Sequence, residues 1–288
     1  MSRNVAVIGF GAIGRLIAAN IMEKGIYCCF LDSRSCRQHD ENFIYRKGET
    51  FLNCSVPCGT GSKNADLYVV TLKTYLNRDV LTALRDQITP GIPVLVLQNG
   101  MGNCETVQGI LPDSQIIPAT TAAGAYRQEN TVVHAGDGGI FYGGSNDLSW
   151  LSTDRLPWIR TAGIERMMLM KLAANSVINP LTALLKKTNG VLNSHKEQVK
   201  ELTEEIYNVI GRIDCSITPD ELDRYIWDII SRTAQNRSSM LSDLISGNKT
   251  EIDSIAGYVI TKADELGIPI PKLRDIYNQI KAQESKND

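Results

Sequence analysis

Val5-Ala6-Val7-Ile8-Gly9-Phe10-Gly11-Ala12-Ile13-Gly14 is the stretch on which the fold turns. An apolar run of strand length ends at Ile8, the glycines follow in a G-x-G-x-x-G spacing, and helical periodicity opens at about Ala12. The glycine string by itself is a weak signal; its place between a strand and a helix gives it meaning. Gly9 permits a tight turn, Gly11 lets a pyrophosphate approach the backbone, and Gly14 lets the helix pack closely on the strand. The N–H groups at the start of that helix have no partners within it and can face phosphates. Gly9, Phe10, Gly11, Ala12, Ile13 and Gly14 are therefore candidate dinucleotide contacts; the alternative is a tight turn that binds nothing.

Outward from this turn, short apolar runs alternate with helical patterns, the signature of β-α-β units around a parallel sheet. A helix is expected from Ile13 to about Lys24, ended by Gly25, then a strand Cys28–Leu31. Further strands are expected at Leu67–Leu72, Val94–Leu97 and Ile116–Ala119, with a helix over Val80–Ile88. Thr131–His134 and Gly139–Tyr142 read as a hairpin-like pair around Gly136-Asp137-Gly138. After about residue 150 glycine thins out and long helical periods take over, at 166–187, 195–212, 219–246 and 250–266. The expected organisation is an α/β dinucleotide-binding domain over 1–163 and an all-α domain over 164–288, without internal repeats.

The chain of 288 residues has ample length for a core that needs no staple. Its 30 basic and 32 acidic side chains nearly balance, which argues against a nucleic-acid partner, whose phosphates reward a basic patch. The seven cysteines form no recognisable framework, and with only three histidines they give no metal-ligand spacing. Free thiols in a reducing cytoplasm are expected, and no metal. No stretch reaches the ~18–20 uninterrupted apolar residues of a membrane span, and the N-terminus lacks the shape of a signal peptide. The expected partner is a small molecule, not a membrane; the number of subunits is not legible.

Candidate site residues fall in four places. Asp32-Ser33-Arg34 ends the second strand, where a ribose-reading residue belongs. Asp32 can take the ribose hydroxyls of NAD, whereas Ser33, Arg34 and Arg37 can take the extra phosphate of NADP. Asn99, in the glycine-flexed turn Gln98-Asn99-Gly100-Met101-Gly102, and Lys73 both stand at strand ends, where open α/β sheets bind ligands. Either can face the nicotinamide or the substrate, or cap a loop. In Met167–Pro180, Lys171, Asn175 and Asn179 recur every four residues among apolar neighbours, so they line one helix face, a costly stripe unless something polar meets it. Pro180 removes a backbone donor beside Asn179. Asn236 and Ser239 share a face of the expected 219–246 helix. Thr250-Glu251-Ile252-Asp253 reads as a helix start with Thr250 as N-cap, which leaves Glu251 either a dipole-stabilised capping acid or a site carboxylate.

Taken together these segments resemble the ketopantoate reductase (2-dehydropantoate 2-reductase) family. The matching stretches are the glycine turn, Val70-Thr71-Leu72-Lys73, Asn99-Gly100-Met101-Gly102, Lys171-Leu172-Ala173-Ala174-Asn175 with Ile178-Asn179-Pro180-Leu181-Thr182-Ala183, Ser238-Ser239-Met240, and Thr250-Glu251-Ile252-Asp253 with Gly257. They keep the family's order and span most of the chain. The resemblance implies a Rossmann-type domain followed by a helical domain like that of 6-phosphogluconate dehydrogenase. It implies reduction of 2-dehydropantoate to pantoate with NADPH, in the synthesis of pantothenate and coenzyme A. Under it, Lys171 is the general acid and Glu251 a substrate-binding carboxylate. Asn99, Asn175, Asn179, Asn236 and Ser239 match positions that contact substrate or the nicotinamide end of the cofactor. It also favours NADP, through Ser33 and Arg34, over the NAD that Asp32 allows. Leu169-Met170 departs from the Trp-Arg often found just before the family's lysine. A reductase of another 2-oxoacid, or a dinucleotide sensor without catalysis, are the competing readings.

Overall fold

A computed structural model describes residues 3–34, 38–59 and 65–285. Arg37 lies outside the described residues. The chain forms two compact units, Met1–Gln98 with Asn103–Glu165, and Asn99–Gly102 with Arg166–Asp288.

The first unit contains β1 (Asn4–Ile8), α1 (Ala12–Glu23), β2 (Tyr27–Leu31), β3 (His39–Lys47), β4 (Thr50–Gly59), β5 (Leu67–Val70), α2 (Asn77–Leu84), β6 (Val94–Val96), α3 (Asn103–Ile110), β7 (Ile116–Thr121), β8 (Ala125–Gln128), β9 (Thr131–His134), β10 (Ile140–Tyr142) and β11 (Trp158–Arg160). They form one sheet in the order β11-β10-β7-β6-β5-β1-β2-β4-β3-β9-β8. From β7 through β6, β5 and β1 to β2 every pairing is parallel. Successive residues of a strand point to opposite faces, and both faces here are covered. Val5, Val7, Val69 and Leu95 join a core with Leu16, Ile17 and Ile21 of α1. Ala6, Ile8, Tyr68, Val70 and Val94 join another with Leu81 and Leu84 of α2 and Val107 of α3. This is the doubly wound α/β arrangement expected from the sequence.

Five elements here were not expected: β3, β4, β8, β11 and α3. β3 and β4 form an antiparallel pair over Lys47↔Thr50 to His39↔Cys58, and β4 extends the sheet by pairing parallel to β2. Only Phe43, Tyr45, Cys54, Val56 and Cys58 of this pair turn into the core, so the strands read as half-polar. α3 follows the glycine-flexed turn. The hairpin around Gly136-Asp137-Gly138 is overturned: β9 pairs antiparallel with β8 and parallel with β3, whereas β10 pairs with β7 and β11. The two-residue turn of the real hairpin is Glu129-Asn130, with Glu129 at φ 53. Gly138 serves a close passage instead, since a Cβ there would lie 2.5 Å from the Ala122 carbonyl carbon.

The second unit contains α4 (Ile164–Leu185), α5 (Lys196–Ile213), α6 (Pro219–Arg232), α7 (Ser239–Ile245), α8 (Ala256–Leu266) and α9 (Pro271–Glu284), α4 beginning two residues before the unit boundary. Leu172, Ala173, Ala174, Val177 and Ile178 of α4 are almost wholly buried and lie in the middle of its core. By length and composition α4 is apolar enough to cross a membrane, but 72% of the relevant window is buried within the protein, as in a core helix. The expected helix 219–246 is two helices. α6 ends at Thr233, and α7 restarts with Ser238 as N-cap, its Oγ accepting from Leu241 N–H at 3.2 Å. The expected helix start at Thr250 is also corrected, because regular helix begins only at Ala256. α9 lies beyond the last helical period recognised in the sequence.

Candidate active site

The glycine turn belongs to the first unit. A Cβ on Gly9, at φ +105, would lie 2.8 Å from Leu72 N, and one on Gly14 would lie 1.9 Å from Gly9 O. Packing of the protein on itself therefore dictates both. Gly11 differs: it is the N-cap of α1, its backbone is extended at φ −69, and a Cβ there would meet nothing within 4 Å. The open space over Gly11 beside the start of α1 is what a pyrophosphate needs, so the residues fit a dinucleotide. Thr71, given no role of its own in the sequence analysis, donates its hydroxyl to Gly9 O at 2.6 Å and ties the end of β5 to the turn.

Phe10 packs against Phe30 with ring centroids 5.6 Å apart and the rings tilted by 43°, and the Arg34 guanidinium stands 5.5 Å from the Phe10 centroid. Asp32, only 8% exposed, accepts at one oxygen from the Arg34 backbone N–H at 3.0 Å and from Arg34 Nε at 3.2 Å. Ser33 is half-buried beside it. Lys73 precedes a single 3-10 turn, Thr74–Leu76, and its carbonyl accepts from Leu76 N–H. Asn77, four residues on, exchanges two amide hydrogen bonds with Gln98 at 2.7 and 3.0 Å, and Gln98 also donates to Leu72 O, next to Lys73.

The second unit brings together residues far apart in sequence. Asn99 donates from Nδ2 to Glu251 Oε2 at 3.3 Å. Gly100 makes this possible: at φ +82 its backbone lies where a Cβ would sit 2.2 Å from Ser254 O, and Met101 N–H donates to the same oxygen at 3.0 Å. Glu251 is buried, at 6% exposure, not a solvated capping acid. Asp253 accepts from Tyr277 Oη and Lys281 Nζ. Lys171 feels the Glu251 charge. Burial pushes its ammonium down to about 8, and Glu251 opposes that fall.

Asn175 is half-buried and Asn179 is 7% exposed on the same helix, one and two turns beyond Lys171. α4 runs through Pro180 without interruption. Thr182, given no role in the sequence analysis, donates its hydroxyl to Ile178 O at 2.7 Å and lies within hydrogen-bond distance of Ser238 Oγ at 2.9 Å, which ties α4 to the start of α7. Asn236 and Ser239 do not share a helix: Asn236 lies in the exposed link between α6 and α7, its carbonyl accepting from Asn189 N–H, and Ser239 is the exposed first residue of α7. α6 has ended at Thr233, before either residue, and α7 restarts only at Ser239.

Among the described residues, Cys28, Cys29, Cys54, Cys58, Cys104 and Cys215 are all free thiols. Burial raises those of Cys28, Cys54, Cys58 and Cys104, the last two to about 12, so they pack as small apolar groups.

A doubly wound parallel sheet with this turn at the end of its first strand, followed by a helical unit of this kind, defines a dinucleotide-dependent reductase. Within that class the chain belongs to the ketopantoate reductase family. Residues 5–147 match the family described as Ketopantoate reductase PanE/ApbA, and residues 163–284 match Ketopantoate reductase PanE/ApbA C terminal. The chain is 32% identical to the 2-dehydropantoate 2-reductase of Shigella flexneri, over 98% of its own length and 95% of that enzyme's. It resembles the solved structure of the probable 2-dehydropantoate 2-reductase of Bacillus subtilis with a TM-score of 0.79 and 26% identity, covering 97% of this chain and 99% of that one. A D-mandelate dehydrogenase solved with NADH and anilino(oxo)acetate shares the fold, with a TM-score of 0.87 at 19% identity and 99% of each chain covered.

The glycines make separable predictions. Gly14→Ala is expected to destabilise the first unit by about 1–3 kcal/mol or more, because the added methyl meets backbone that cannot yield. Gly11→Ala is expected to leave stability within about 1 kcal/mol of the parent. Thermal or denaturant unfolding of the two variants checks this.

Proposed function

We propose that the protein reduces 2-dehydropantoate to pantoate with NADPH, with Lys171 as general acid and Glu251 as substrate-binding carboxylate. The observation that carries this reading is the half-buried Lys171, whose desolvated ammonium is opposed by the Glu251 charge, with Asn99 donating to that same carboxylate. The bound dinucleotide supplies a hydride to the 2-oxo carbon. The oxygen of that carbonyl becomes an alkoxide and needs a proton. An ammonium placed against it stabilises the developing charge and then gives up a proton, and a pKa of about 8 makes Lys171 a far better donor than an ordinary lysine near 10.4.

The substrate is itself an anion, so a carboxylate in its site belongs beside its hydroxyl, which can donate to it. Asn99, Asn175 and Asn179 suit the remaining oxygens, because amides hold hydroxyl and carbonyl groups without adding charge. Asn236, in the exposed link before α7, and Ser239, the exposed first residue of α7, are assigned to the substrate on the family resemblance. In the first unit Gly9, Phe10, Gly11, Ala12, Ile13 and Gly14 would hold the pyrophosphate, with Lys73 at the end of β5 also assigned to the cofactor. Arg34 and Ser33 would take the 2′-phosphate of NADP. Asp32 supports this: its carboxylate is already engaged by Arg34, which draws the guanidinium to the strand end.

A reductase of another 2-oxoacid is the second reading, and the occurrence of the same fold in a D-mandelate dehydrogenase favours keeping it. Rates of NADPH and NADH oxidation with 2-dehydropantoate, pyruvate and larger 2-oxoacids decide between them. Preference for 2-dehydropantoate is the expected result; turnover confined to another 2-oxoacid would keep the chemistry and discard the substrate.

Lys171→Ala is expected to lose about 10²–10⁴-fold in kcat while binding NADPH as the parent does. Unchanged turnover would remove Lys171 from the mechanism. Because the protonated amine is the active form, kcat/KM should fall as pH rises through about 8. Glu251→Gln takes away the charge that holds the amine's pKa up, so that alkaline limb should move to lower pH, and substrate KM should rise. Arg34→Ala should raise KM for NADPH by roughly 10- to 100-fold and leave KM for NADH nearly unchanged, the loss of a charge-assisted contact worth about 1.5–3 kcal/mol. Gly11→Ala, stable as it is, should weaken both dinucleotides.

A further inference from the structure

Behind Glu251 stands a second buried carboxylate that touches none of the reacting groups. Glu284 is the last residue of α9 and only 8% exposed. Its Oε1 accepts from the Thr250 backbone N–H at 2.7 Å and from the Thr250 hydroxyl at 2.6 Å, while Oε2 lies 2.9 Å from Lys281 Nζ. Thr250 is 1% exposed, and its Oγ1 in turn accepts from Ile252 N–H at 3.2 Å. The residues on either side of Glu251 are thus tied to one acid.

Local physics disfavours an acid at this place. The C-terminal end of a helix carries a partial negative charge, and burial adds a desolvation cost. Glu284 is held there by the Thr250 donors and by Lys281. The same helix face reaches the Glu251 segment again: Asp253 accepts from Tyr277 Oη at 2.7 Å and Lys281 Nζ at 3.1 Å, and Tyr277, Lys281 and Glu284 fall on one side of α9. The other end of α9 is anchored on α5. The N–H groups of Lys272 and Leu273 donate to the two oxygens of Glu205, and Lys272 pairs with Glu201.

The segment 250–255 is not regular helix, so its backbone depends on partners outside itself. A functional carboxylate on such a segment is placed only as well as those partners hold it. We propose that Glu284 is a positioning residue: through Thr250 it fixes the backbone that carries Glu251, and so sets where the Glu251 carboxylate stands relative to Lys171. This rests on the reading of Glu251 as the substrate-binding carboxylate.

The test is steady-state kinetics of Glu284→Ala, Glu284→Gln and Thr250→Val beside Glu251→Ala, on full-length enzyme whose folding is checked by circular dichroism. Glu284→Ala and Thr250→Val are expected to raise KM for 2-dehydropantoate about tenfold or more and to move the alkaline limb of kcat/KM to lower pH, with KM for NADPH within about twofold of the parent. Glu284→Gln, which keeps an acceptor oxygen within reach of Thr250, should recover most of the loss. A folded Glu284→Ala that keeps the parental substrate KM and pH limb, while Glu251→Ala loses substrate affinity, overturns the positioning role alone. Should Glu284→Ala fail to fold, the same result in Thr250→Val overturns it. If Glu251→Ala keeps the parental KM, the reading of Glu251 falls and the positioning role falls with it.

Discussion

An ammonium partly withdrawn from water is the constraint around which the second unit is built. Lys171 sits on a helix whose other faces are packed with Leu172, Ala173, Ala174 and Val177, and this burial alone would drive it toward the neutral amine. Glu251 offsets part of that cost. Such a carboxylate must itself be buried and held, and the chain meets this demand with Asn99, donated by a loop from far away in sequence. Much of the local architecture follows, including the positive φ at Gly100 and the close passage of its backbone over Ser254. The amine's pKa is a balance between burial and one neighbouring charge.

The first unit obeys a different constraint. Its strands are apolar on both faces, so helices must cover both, and the chain can cross from β1 to α1 only through a turn that brings Gly14 against Gly9. Gly14 is explained by this contact and Gly9 by its positive φ and the close approach of Leu72, both contacts of the protein with itself. Gly11 is not, and the contrast is more informative than the motif string.

The expectations that failed share a cause. The hairpin placed around Gly136–Gly138 relied on glycines as turn residues, but close passage beside Ala122 also demands glycine, and local sequence does not distinguish the two uses. β3 and β4 are half-buried edge-ward strands whose polar residues alternate with the inward Phe43, Tyr45, Cys54 and Val56, so they lack the continuous apolar run that marked β1 and β5. The helix expected over 219–246 breaks where Thr233 turns its hydroxyl back to Ile229 O and accepts from Asn189, a partner supplied by tertiary structure. Glu251 was open between a cap and a site carboxylate because Thr250 two residues before Ile252 looks like a capping hydroxyl, and it does accept from that N–H. What removes the cap reading is that regular helix begins only at Ala256 and that the Glu251 side chain is buried.

Periodicity and residue type were enough for the doubly wound sheet, the change to helices after residue 150, the glycine turn and the stripe of Lys171, Asn175 and Asn179, because each is a pattern among near neighbours in the chain. Residue order alone could not bring Asn99 to Glu251, put a charge near Lys171, or anchor Thr250 on Glu284. Those pairings close long loops, and their energies come from burial and from geometry that exists only once the helices have packed. Local pattern therefore names the groups that can do chemistry, while tertiary packing decides which of them meet and how strongly each one's charge is felt.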